Sequence, residues 1–359
     1  MCRRDSAHFL FLVLKKINRN FAPRRYAMET TNERLRLTVI VTFYNAEMTI
    51  AECAHSLMQQ TMSRGIEYLF VDDGSSDRSV ELLEATAEFY PHRKEQVRIV
   101  HLPSNNGTAY ARQRGLEEAN GEFVTYCDAD DWIEAEAYAT MLRVAEASHA
   151  DMVCTPYIVE RGKGKRSTVS FPSLDFPQLN DMPLDTLHGS LWNKIVRRSV
   201  INDHNIRFFE GINCWEDLGL MFRIVIATRR IVIYNQAYYH YRRSDSHTLS
   251  TNSMARVLND HLRMAEAVES WFSTQPESLM QRFMPFILFL KFTAKIKLLR
   301  GHNRDLQRWR ATYPESNDHI MQYRNIPRFY RWLFYLAHHL PYWLVNGALR
   351  ATNAFQRHR

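Results

Sequence analysis

The sequence is poor in the residues that mark several protein classes. Its 359 residues include 12 glycines and 12 prolines, too few for a collagen-like or linker-dominated chain. The five cysteines are odd in number, widely spaced, and form no CxxC pair. Such a set argues against a disulfide framework and against a structural zinc site, and favours a reducing compartment. The cysteines are Cys2, Cys53, Cys127, Cys154 and Cys214.

Long hydrophobic runs are also absent. The apolar run at residues 9–14 has six residues, whereas a membrane-spanning helix needs about 20. It is also short for a signal-peptide core and lacks a small-residue cleavage site. Met28, followed by ETTNERLRL, resembles an alternative start, so whether residues 1–27 belong to the native protein is open. The 45% hydrophobic content still supplies a sizeable core and excludes disorder of the whole chain.

The formal net charge of +7 lies at the two ends. Residues 1–27 carry +6 and residues 300–359 carry +7, which leaves −6 for residues 28–299. An acidic body without a basic stripe is a poor nucleic-acid binder, so we expect no nucleic-acid partner. Basic ends suit an anionic membrane surface, although solvated tails are the alternative. We expect a cytoplasmic protein, peripheral on the cytoplasmic face of the membrane.

The C-terminal stretch 326–350 mixes aromatic and aliphatic residues with arginine and histidine. Its longest apolar runs, 332–337 and 340–345, are broken by His338, His339 and Pro341. This stretch either lies in a membrane interface or caps the catalytic domain as a pair of helices. Both interpretations stay open at this point.

Hydrophobic periodicity predicts an α/β fold. Apolar, β-branched runs begin 25 to 30 residues apart, and helical patterns separate them, as in successive βαβ units. Near-continuous apolar strands predict a mostly parallel sheet flanked by helices. Residues 160–190 read as a loop or as a hairpin with a long connection, and residues from about 254 onward read as helices. The predicted strands are 37–43, 67–72, 97–102, 122–127 and 151–157, and the predicted helices between them are 49–60, 79–89, 108–119 and 135–149.

The chain has neither GxGxxG nor GxxxxGK[ST], which argues against a dinucleotide-binding oxidoreductase and a P-loop NTPase. Polar and acidic loops follow the predicted strands instead: VDDGSSD at 71–77 and DADDW at 128–132. Ligands bind beyond the carboxyl ends of such strands, and clustered carboxylates favour a divalent cation. Each loop alone has a structural alternative, since Asp73-Gly74 suits a turn and Asp130 and Asp131 suit a helix start.

These motifs resemble the family-2 glycosyltransferases of the GT-A fold. The resemblance covers roughly residues 37–135, through TVIVTFYNAEMTIAECAHSLMQQT, EYLFVDDGSSDRS and NNGTAYARQRGLEEANGEFVTYCDADDW. It extends less tightly over 191–250, through LWNKIVRRSVI, INCWEDLGL and YYHYRRSDSHTLS. It implies a GT-A catalytic domain that binds a nucleotide sugar and is followed by a helical region. The predicted regions are a basic extension (1–36), a nucleotide-sugar-binding half (37–158), an acceptor-binding and catalytic-base half (159–250) and a helical region (251–359) that associates with a membrane or caps the domain.

The resemblance also implies roles for individual residues on the donor side. Arg112 would place a cation near the base or diphosphate, although a structural ion pair is equally compatible. Asp130 of the D-x-D pattern would ligate Mg²⁺ or Mn²⁺, and Asp128 would contact the ribose or a metal-bound water. The residues implied to hold the base and ribose of the donor are Thr42, Tyr44, Asn45, Asp72 and Asp73.

On the acceptor side, the resemblance assigns the catalytic base to an E-D helix start, which matches Glu216-Asp217. Asp217 is the predicted base, and Glu216 either orients it or binds the acceptor. The alternative is that both carboxylates merely start a helix. Three basic residues of a mobile loop would close over the diphosphate, and a WNK-like signature would contact the acceptor. The loop residues are Arg242, Arg243 and His247, and the acceptor residues are Trp192, Asn193 and Lys194.

The function implied is an inverting, metal-dependent transfer of a sugar, most simply from a UDP-sugar, to a hydroxyl of a surface-glycan precursor. The acceptor would be a glycan or a lipid-linked glycan of the capsule, exopolysaccharide or lipopolysaccharide type. A nucleotidyltransferase on a similar sheet is one alternative, but it favours a Gly-rich basic loop after the first strand. A non-catalytic glycan- or membrane-binding relative is the other, and the presence of Asp130 and Asp217 weighs against it.

Overall fold

The computed structural model describes residues 34–171, 189–243, 254–299, 304–341 and 343–345. The chain divides into two compact units, residues 1–246 and 247–359, and each is described by itself. The first unit contains both β-sheets, and the second is helical.

A seven-stranded sheet forms the centre of the first unit, in the order β10-β6-β9-β4-β1-β2-β3. Strands β1 to β4 are parallel, as their buried apolar runs predict, whereas β9 runs antiparallel to both of its neighbours. The strands are β1 (Leu37–Phe43), β2 (Ile66–Asp72), β3 (Val97–His101), β4 (Phe123–Tyr126), β6 (Met152–Cys154), β9 (Lys194–Arg197) and β10 (Ile231–Ile233).

Helices connect these strands, and each face of the sheet carries a hydrophobic core cluster. Val39 and Val41 of β1 pack on one face and Ile40 on the other, because side chains alternate along a strand. The helices are α1 (Ile50–Met58), α2 (Ser79–Glu88), α3 (Thr108–Glu118), α4 (Ala137–Ser148), α5 (Arg198–Asp203) and α6 (Glu216–Ala227). This arrangement confirms the predicted α/β fold class, and the predicted helix ends differ from the observed ones by at most two residues.

A second, four-stranded sheet was not predicted as a separate layer. Its order is β5-β11-β7-β8, with β5 (Trp132–Ile133), β7 (Tyr157–Arg161), β8 (Lys165–Val169) and β11 (Tyr239–Arg243). The single strand predicted at 151–157 is wrong, because β6 ends at Cys154 and β7 begins at Tyr157 in the other sheet. Pro156 lies between them and has no N–H for a sheet ladder, so the chain leaves the first sheet there. The hairpin alternative for residues after 160 is confirmed by the β7–β8 pair.

The second unit is built from helices, as predicted. They are α7 (Met254–Ser273), α8 (Glu277–Lys295), α9 (Leu306–Ala311) and α10 (Arg328–His339), joined by short 3₁₀ segments. Phe292 and Trp309 lie at the centre of their core, and α10 adds Leu333, Phe334 and Ala337 to it. Across the residues that the structure describes, no helix is both long enough and apolar enough to cross a membrane.

Candidate active site

The candidate site lies where parallel strands of the large sheet end. The carboxyl ends of β1, β2 and β4 share one edge, so the loops after Phe43, Asp72 and Tyr126 lie side by side. The sequence motifs FYN, DDGSSD and DADD occupy these loops. The topology therefore brings together the polar segments that the sequence singled out.

The loops after β1 and β2 are joined by hydrogen bonds. The backbone N–H of Asn45 donates to Ser75 Oγ at 3.0 Å, and Asn45 Oδ1 accepts from the N–H of Ser76 at 2.9 Å. Asn45 has a positive φ of 49°, a conformation that asparagine tolerates better than most residues. Thr42 is half-buried, and Tyr44 is 48% exposed. The aromatic ring of Tyr44 is thus available at this edge of the sheet.

Asp72 and Asp73 are both buried and both bonded within the protein. Asp72 Oδ1 accepts from the N–H of Ser75 at 2.9 Å. Asp73 accepts the N–H of Asn106 with one oxygen and that of Gly107 with the other, each at 2.9 Å. These carboxylates therefore fix the loops around them, and a direct contact of either with a donor stays a prediction.

Gly107 lies in a close contact between the two halves of the first unit. Its φ is +91°, and a Cβ atom there would lie 2.6 Å from the side chain of Asn213. Asn213 Oδ1 accepts the N–H of Ala109 at 3.0 Å, in the first turn of α3. This contact positions α3, which carries Arg112, against the segment that precedes α6.

The loop after β4 holds three aspartates in different surroundings. Asp131 is buried, and its carboxylate accepts from the Tyr239 hydroxyl at 2.8 Å and from the N–H of Arg242 at 2.7 Å. Asp128 is half-buried and pairs with Arg112. Asp130 is exposed on its surface side, and desolvation by the neighbouring protein together with the charge of Asp128 raises its pKa above the ordinary value. Of the three, Asp130 is the carboxylate that faces solvent.

Arg112 connects this loop to the E-D helix start. Its guanidinium lies 2.7 Å from Asp128 Oδ1 and 2.7 Å from Glu216 Oε1, and its side chain is 10% exposed. Burial opposes the charge of Arg112, but Asp128, Glu216 and Asp217 together raise its pKa above the ordinary value. Arg112 thus forms ion pairs with partners 16 and 104 residues away in the sequence, and a role toward the donor stays a prediction.

Glu216 and Asp217 are the first two residues of α6. The preceding residue, Trp215, has a φ of +65°, which is uncommon for a bulky side chain. Burial raises the pKa of Glu216 to about 7, against the pull of Arg112. Asp217 is half-buried, and its Oδ1 accepts the N–H of Leu218 at 2.7 Å. The two carboxylates therefore differ: one is buried in an ion pair, and the other reaches solvent.

The two arginines of β11 point to opposite faces of their strand, since side chains alternate. The Arg242 guanidinium lies 2.6 Å from Glu52 Oε2, in the first turn of α1, and its backbone N–H is held by Asp131. Arg243 is exposed. His247, the third predicted loop residue, lies outside the described residues.

Trp192, Asn193 and Lys194 are all buried. Trp192 stacks on Tyr239 with a centroid distance of 4.3 Å. Asn193 Nδ2 donates to the carbonyl of Thr155, and Lys194 Nζ donates to Asn193 Oδ1 at 2.8 Å. Burial lowers the pKa of Lys194 to about 8, and the nearby charge of Asp217 opposes this shift. The signature thus forms a packed wall beside Asp217, and direct contact with an acceptor stays a prediction.

Comparisons with known proteins identify the family of this chain. A family model described as glycosyl transferase family 2 matches residues 38–204. YibD of Escherichia coli, an uncharacterized glycosyltransferase, is 30% identical over 246 residues, which are 66% of this chain and 67% of that protein. This chain belongs to glycosyltransferase family 2.

Two further relatives share the family. EpsH of Bacillus subtilis, named as a glycosyltransferase, is 33% identical over 214 residues, or 57% of this chain. The chain spans 60% of the length of EpsH. The poly(ribitol-phosphate) β-N-acetylglucosaminyltransferase TarS of Staphylococcus aureus is 27% identical over 221 residues, which are 60% of this chain and 37% of that protein.

Solved structures of glycosyltransferases have the same fold. TarS residues 1–349 in complex with UDP match with a TM-score of 0.63 and 19% identity, covering 90% of this chain and 92% of that chain. A mannosyltransferase from Pyrobaculum calidifontis, in complex with GDP-Man and Mn²⁺, matches with a TM-score of 0.53 and 16% identity, covering 98% of this chain and 91% of that chain. At such identities the likeness establishes the GT-A fold.

The residues after β4 fit a divalent cation that is bound partly by protein carboxylates and partly by substrate oxygens. Within the described ranges, no group of three or more His, Cys, Asp and Glu side chains is arranged to hold a metal. Mg²⁺ sites in phosphate chemistry commonly use one or two carboxylates together with substrate oxygens. Asp130, exposed beside Asp128, supplies a donor set of that kind.

Sequence reasoning did not single out Tyr239 or Glu52. The Tyr239 hydroxyl accepts the N–H of Asp128 at 3.0 Å and donates to Asp131, so it ties β11 to the D-x-D loop. Glu52 holds the Arg242 side chain. Alternation in YHYRR indicates a strand, but nothing in the sequence shows which loop that strand lies beside.

Proposed function

We propose that this protein transfers a sugar from a nucleotide sugar, with UDP as the nucleotide, to a hydroxyl of a surface-glycan precursor, with inversion at the anomeric carbon. The observation that carries the proposal is the Arg112 bridge, at 2.7 Å to both Asp128 and Glu216. It joins the D-x-D loop to the helix start that carries Asp217, as a donor site next to a general base requires. UDP and UDP-GlcNAc complexes of TarS, on the same fold, support the donor class.

On the donor side, we assign the base and ribose to the crevice between the loops after β1 and β2. Tyr44 offers an exposed ring for the base, and Thr42 and Asn45 lie beside it. Asp72 and Asp73 hold the surrounding loops through the N–H groups of Ser75, Asn106 and Gly107, which keeps the crevice in one shape. Asp128 adds an oxygen toward the ribose side.

Asp130 is the residue proposed to hold Mg²⁺ or Mn²⁺. When bound, such an ion neutralises negative charge on the leaving nucleoside diphosphate. The Mn²⁺ complex of the Pyrobaculum mannosyltransferase supports this assignment. Arg242 is the cation of β11 that we assign to the same region, because its charge acts on Asp130.

Asp217 is the proposed base, which takes the proton of the acceptor hydroxyl as that oxygen attacks. It is half-buried at the start of α6, where solvent and an acceptor reach it. Glu216 positions this helix start through its ion pair with Arg112. Trp192, Asn193 and Lys194 form the wall on the acceptor side and place Lys194 near the charge of Asp217.

The test is nucleotide release across a panel of nucleotide sugars, with and without Mn²⁺. We expect release from one or a few UDP-sugars, stimulated by the metal and by a glycan or lipid-linked glycan acceptor. Activity that survives exhaustive chelation would overturn the metal assignment. Release of pyrophosphate, rather than of a nucleoside diphosphate, would overturn sugar transfer in favour of nucleotidyl transfer.

We also propose that the second unit binds the anionic cytoplasmic surface of a membrane. Helix α10 buries Leu333, Phe334 and Ala337 in its core, but a second face exposes aromatic and aliphatic side chains. Exposed Arg324 and Arg328 add positive charge next to that face. Aromatic rings with flanking arginines suit the headgroup region of an anionic bilayer. The exposed residues of this face are Phe329, Trp332, Tyr335 and Leu336.

The double variant Phe329→Ser/Trp332→Ser tests this surface without removing core residues. We expect about tenfold weaker binding to phosphatidylglycerol-containing vesicles, measured by flotation, and weaker wild-type binding at high salt. Phe89→Ser, an equally exposed aromatic of the first unit at 60%, serves as the control and should bind like wild type. Equal, salt-insensitive flotation of all three proteins would contradict the proposal.

A further inference from the structure

Asp128 and Asp131 are the two ends of a four-residue turn. The N–H of Asp131 donates to the carbonyl of Asp128 at 3.0 Å, which is the hydrogen bond that closes a β-turn. Asp130 is the third residue of this turn and is exposed, whereas Asp131 is only 1% exposed. The orientation of the Asp130 carboxylate at the tip therefore depends on how the protein holds the two ends of the turn.

One hydroxyl group holds both ends of this turn. The Tyr239 hydroxyl accepts the backbone N–H of Asp128 at 3.0 Å and donates to Asp131 Oδ2 at 2.8 Å. The other oxygen of Asp131 accepts the backbone N–H of Arg242, from the same strand, at 2.7 Å. Three hydrogen bonds thus fix the base of the turn to β11. None of the three uses the carboxylate of Asp130, which stays available to a ligand.

The protein holds Tyr239 itself in one position. Strand β11 lies between β5 and β7, where Tyr239 is paired with Ile133 on one side and with Tyr157 on the other. The side chain of Tyr239 is 1% exposed, and its ring stacks on Trp192 at a centroid distance of 4.3 Å. A packed ring on a strand with two neighbours has little freedom to move, so its hydroxyl is a fixed point for the turn.

We propose that Tyr239 is a positioning residue, whose hydroxyl orients the turn so that Asp130 binds a divalent cation together with the nucleotide. The inference rests on the proposed function, in which Asp130 holds that cation. Without the hydroxyl, the N–H of Asp128 and one oxygen of Asp131 lose a hydrogen-bond partner, and the turn becomes freer to move. Asp130 then spends less time in the orientation that binds the cation, so the metal-dependent part of the nucleotide affinity falls.

The experiment compares the affinity of the full chain for UDP in Mn²⁺ with its affinity in a chelator, both measured by calorimetry. Tyr239→Phe keeps the ring that stacks on Trp192 and removes only the hydroxyl. We expect UDP affinity in Mn²⁺ to fall by about 10–100-fold, the usual effect of losing a group that orients a metal ligand. UDP affinity in the chelator should stay at the wild-type value, because the hydroxyl does not act on the nucleotide directly.

Tyr90→Phe is the matched control. Tyr90 is buried, and its hydroxyl is hydrogen-bonded to His55, between α2 and β3 at the opposite edge of the large sheet. Both variants lose a buried, bonded hydroxyl, so both should unfold about 2–4 °C below wild type. Only Tyr239→Phe should lose Mn²⁺-dependent affinity. The double variant Tyr239→Phe/Asp130→Ala should bind UDP in Mn²⁺ as Asp130→Ala does, because the hydroxyl acts through Asp130.

Equal Mn²⁺-dependent affinity of wild type and Tyr239→Phe would overturn the proposal. An equal loss with and without Mn²⁺ would also overturn it, as would a further loss in the double variant beyond that of Asp130→Ala. If Tyr239→Phe does not fold, Asp131→Asn removes the hydroxyl's acceptor instead, and wild-type Mn²⁺ dependence in that variant would overturn the proposal. Failure of the proposed glycosyl transfer appears in a separate assay, as absent nucleotide release by wild type, and leaves these affinities readable.

Discussion

The carboxylates after β2 and those after β4 occupy equivalent places at the same sheet edge, yet the protein treats them differently. Asp72 and Asp73 are 5% and 4% exposed. Backbone N–H groups bond both oxygens of Asp73 and Oδ1 of Asp72, and the His101 ring lies 3.2 Å from Oδ2 of Asp72. After β4, Asp128 pairs with an arginine and Asp130 is exposed. Carboxylates bonded to fixed amides define the shape of a site, whereas exposed ones remain able to bind a ligand. Position in the fold alone thus does not define the role of an acidic residue.

The E-D helix start repeats this contrast within two residues. Glu216 is buried against Arg112, and Asp217 is half-buried. If the comparison holds, substitutions at the reachable carboxylates should reduce chemistry or ligand binding, and substitutions at the buried ones should mainly change stability and its dependence on pH. Four substitutions test this division.

Asp217→Asn should have the largest effect. Asparagine keeps the shape and can still accept the N–H of Leu218, but it cannot take a proton from an acceptor. We expect sugar transfer to fall by about 10²–10⁴-fold, the usual size of a general-base contribution, with donor affinity close to wild type. Nucleotide binding by calorimetry and a transfer assay on one preparation measure both quantities.

Two results would contradict the assignment of Asp217. Transfer within a few-fold of wild type would remove it as the base and direct attention to Glu216. Loss of nucleotide binding together with transfer would place Asp217 in the donor site. If Asp217 merely starts the helix, its substitution should lower the stability by about 1 kcal/mol and leave turnover largely intact.

Asp130→Ala should have the next largest effect. Because Asp130 is exposed, its removal should leave the fold intact, while metal-dependent nucleotide affinity falls by roughly 100-fold or more. Titration of Mn²⁺ in the presence of UDP measures the loss, and Asp203→Asn, an exposed aspartate on α5, is the control. Unchanged Mn²⁺ dependence in Asp130→Ala would show that the metal ligand lies elsewhere.

The parallel part of the fold could be predicted from sequence because buried parallel strands are nearly continuous apolar runs. The runs LTVIVTF and EYLFVD predict β1 and β2 directly, and the acidic motif DDGSSD begins at the end of β2. The second sheet could not be predicted in this way. Its strands are short, come from distant segments, and depend on Pro156 to redirect the chain between β6 and β7.

The motifs of the candidate site could be predicted from the sequence, but the contacts between their side chains could not. Arg112 matched a motif, yet its two partners were set by packing between α3 and α6 rather than by sequence spacing. Tyr239 meets Asp131 across 108 residues for the same reason. Long-range contacts of this kind follow from the packing of distant helices and strands and leave no local pattern in the sequence.

Asp73→Asn should act on stability. Asp73 accepts the N–H groups of Asn106 and Gly107, one with each carboxylate oxygen. An asparagine has a single side-chain oxygen and can accept only one of them, and its NH₂ group would face the other N–H. Leaving that donor unsatisfied should lower the free energy of unfolding by about 1–3 kcal/mol. Chemical denaturation measures it, and Asp203→Asn should stay within about 0.5 kcal/mol of wild type. A change at Asp73 no larger than the control would show that these amides find other partners.

The fourth effect is a pH dependence of stability that belongs to Glu216. Its pKa is raised to about 7 in the folded protein by burial, from an ordinary value of 4.5. Between these values the unfolded chain releases the proton while the folded protein keeps it. Stability from this group is therefore fully present below pH 4.5 and is lost as pH rises toward 7. The slope is at most about 1.4 kcal/mol per pH unit.

Glu216→Gln removes this titration, so the difference in unfolding free energy between wild type and variant isolates it. We expect the difference to fall with rising pH between about 4.5 and 7 and to be flat above 7. Were the ion pair with Arg112 to outweigh burial, the folded pKa would lie below the ordinary value and the difference would rise with pH instead. A negative slope shows that burial disfavours the ionised form of Glu216 and that Arg112 offsets this only in part. A positive slope shows that Arg112 holds Glu216 ionised next to Asp217.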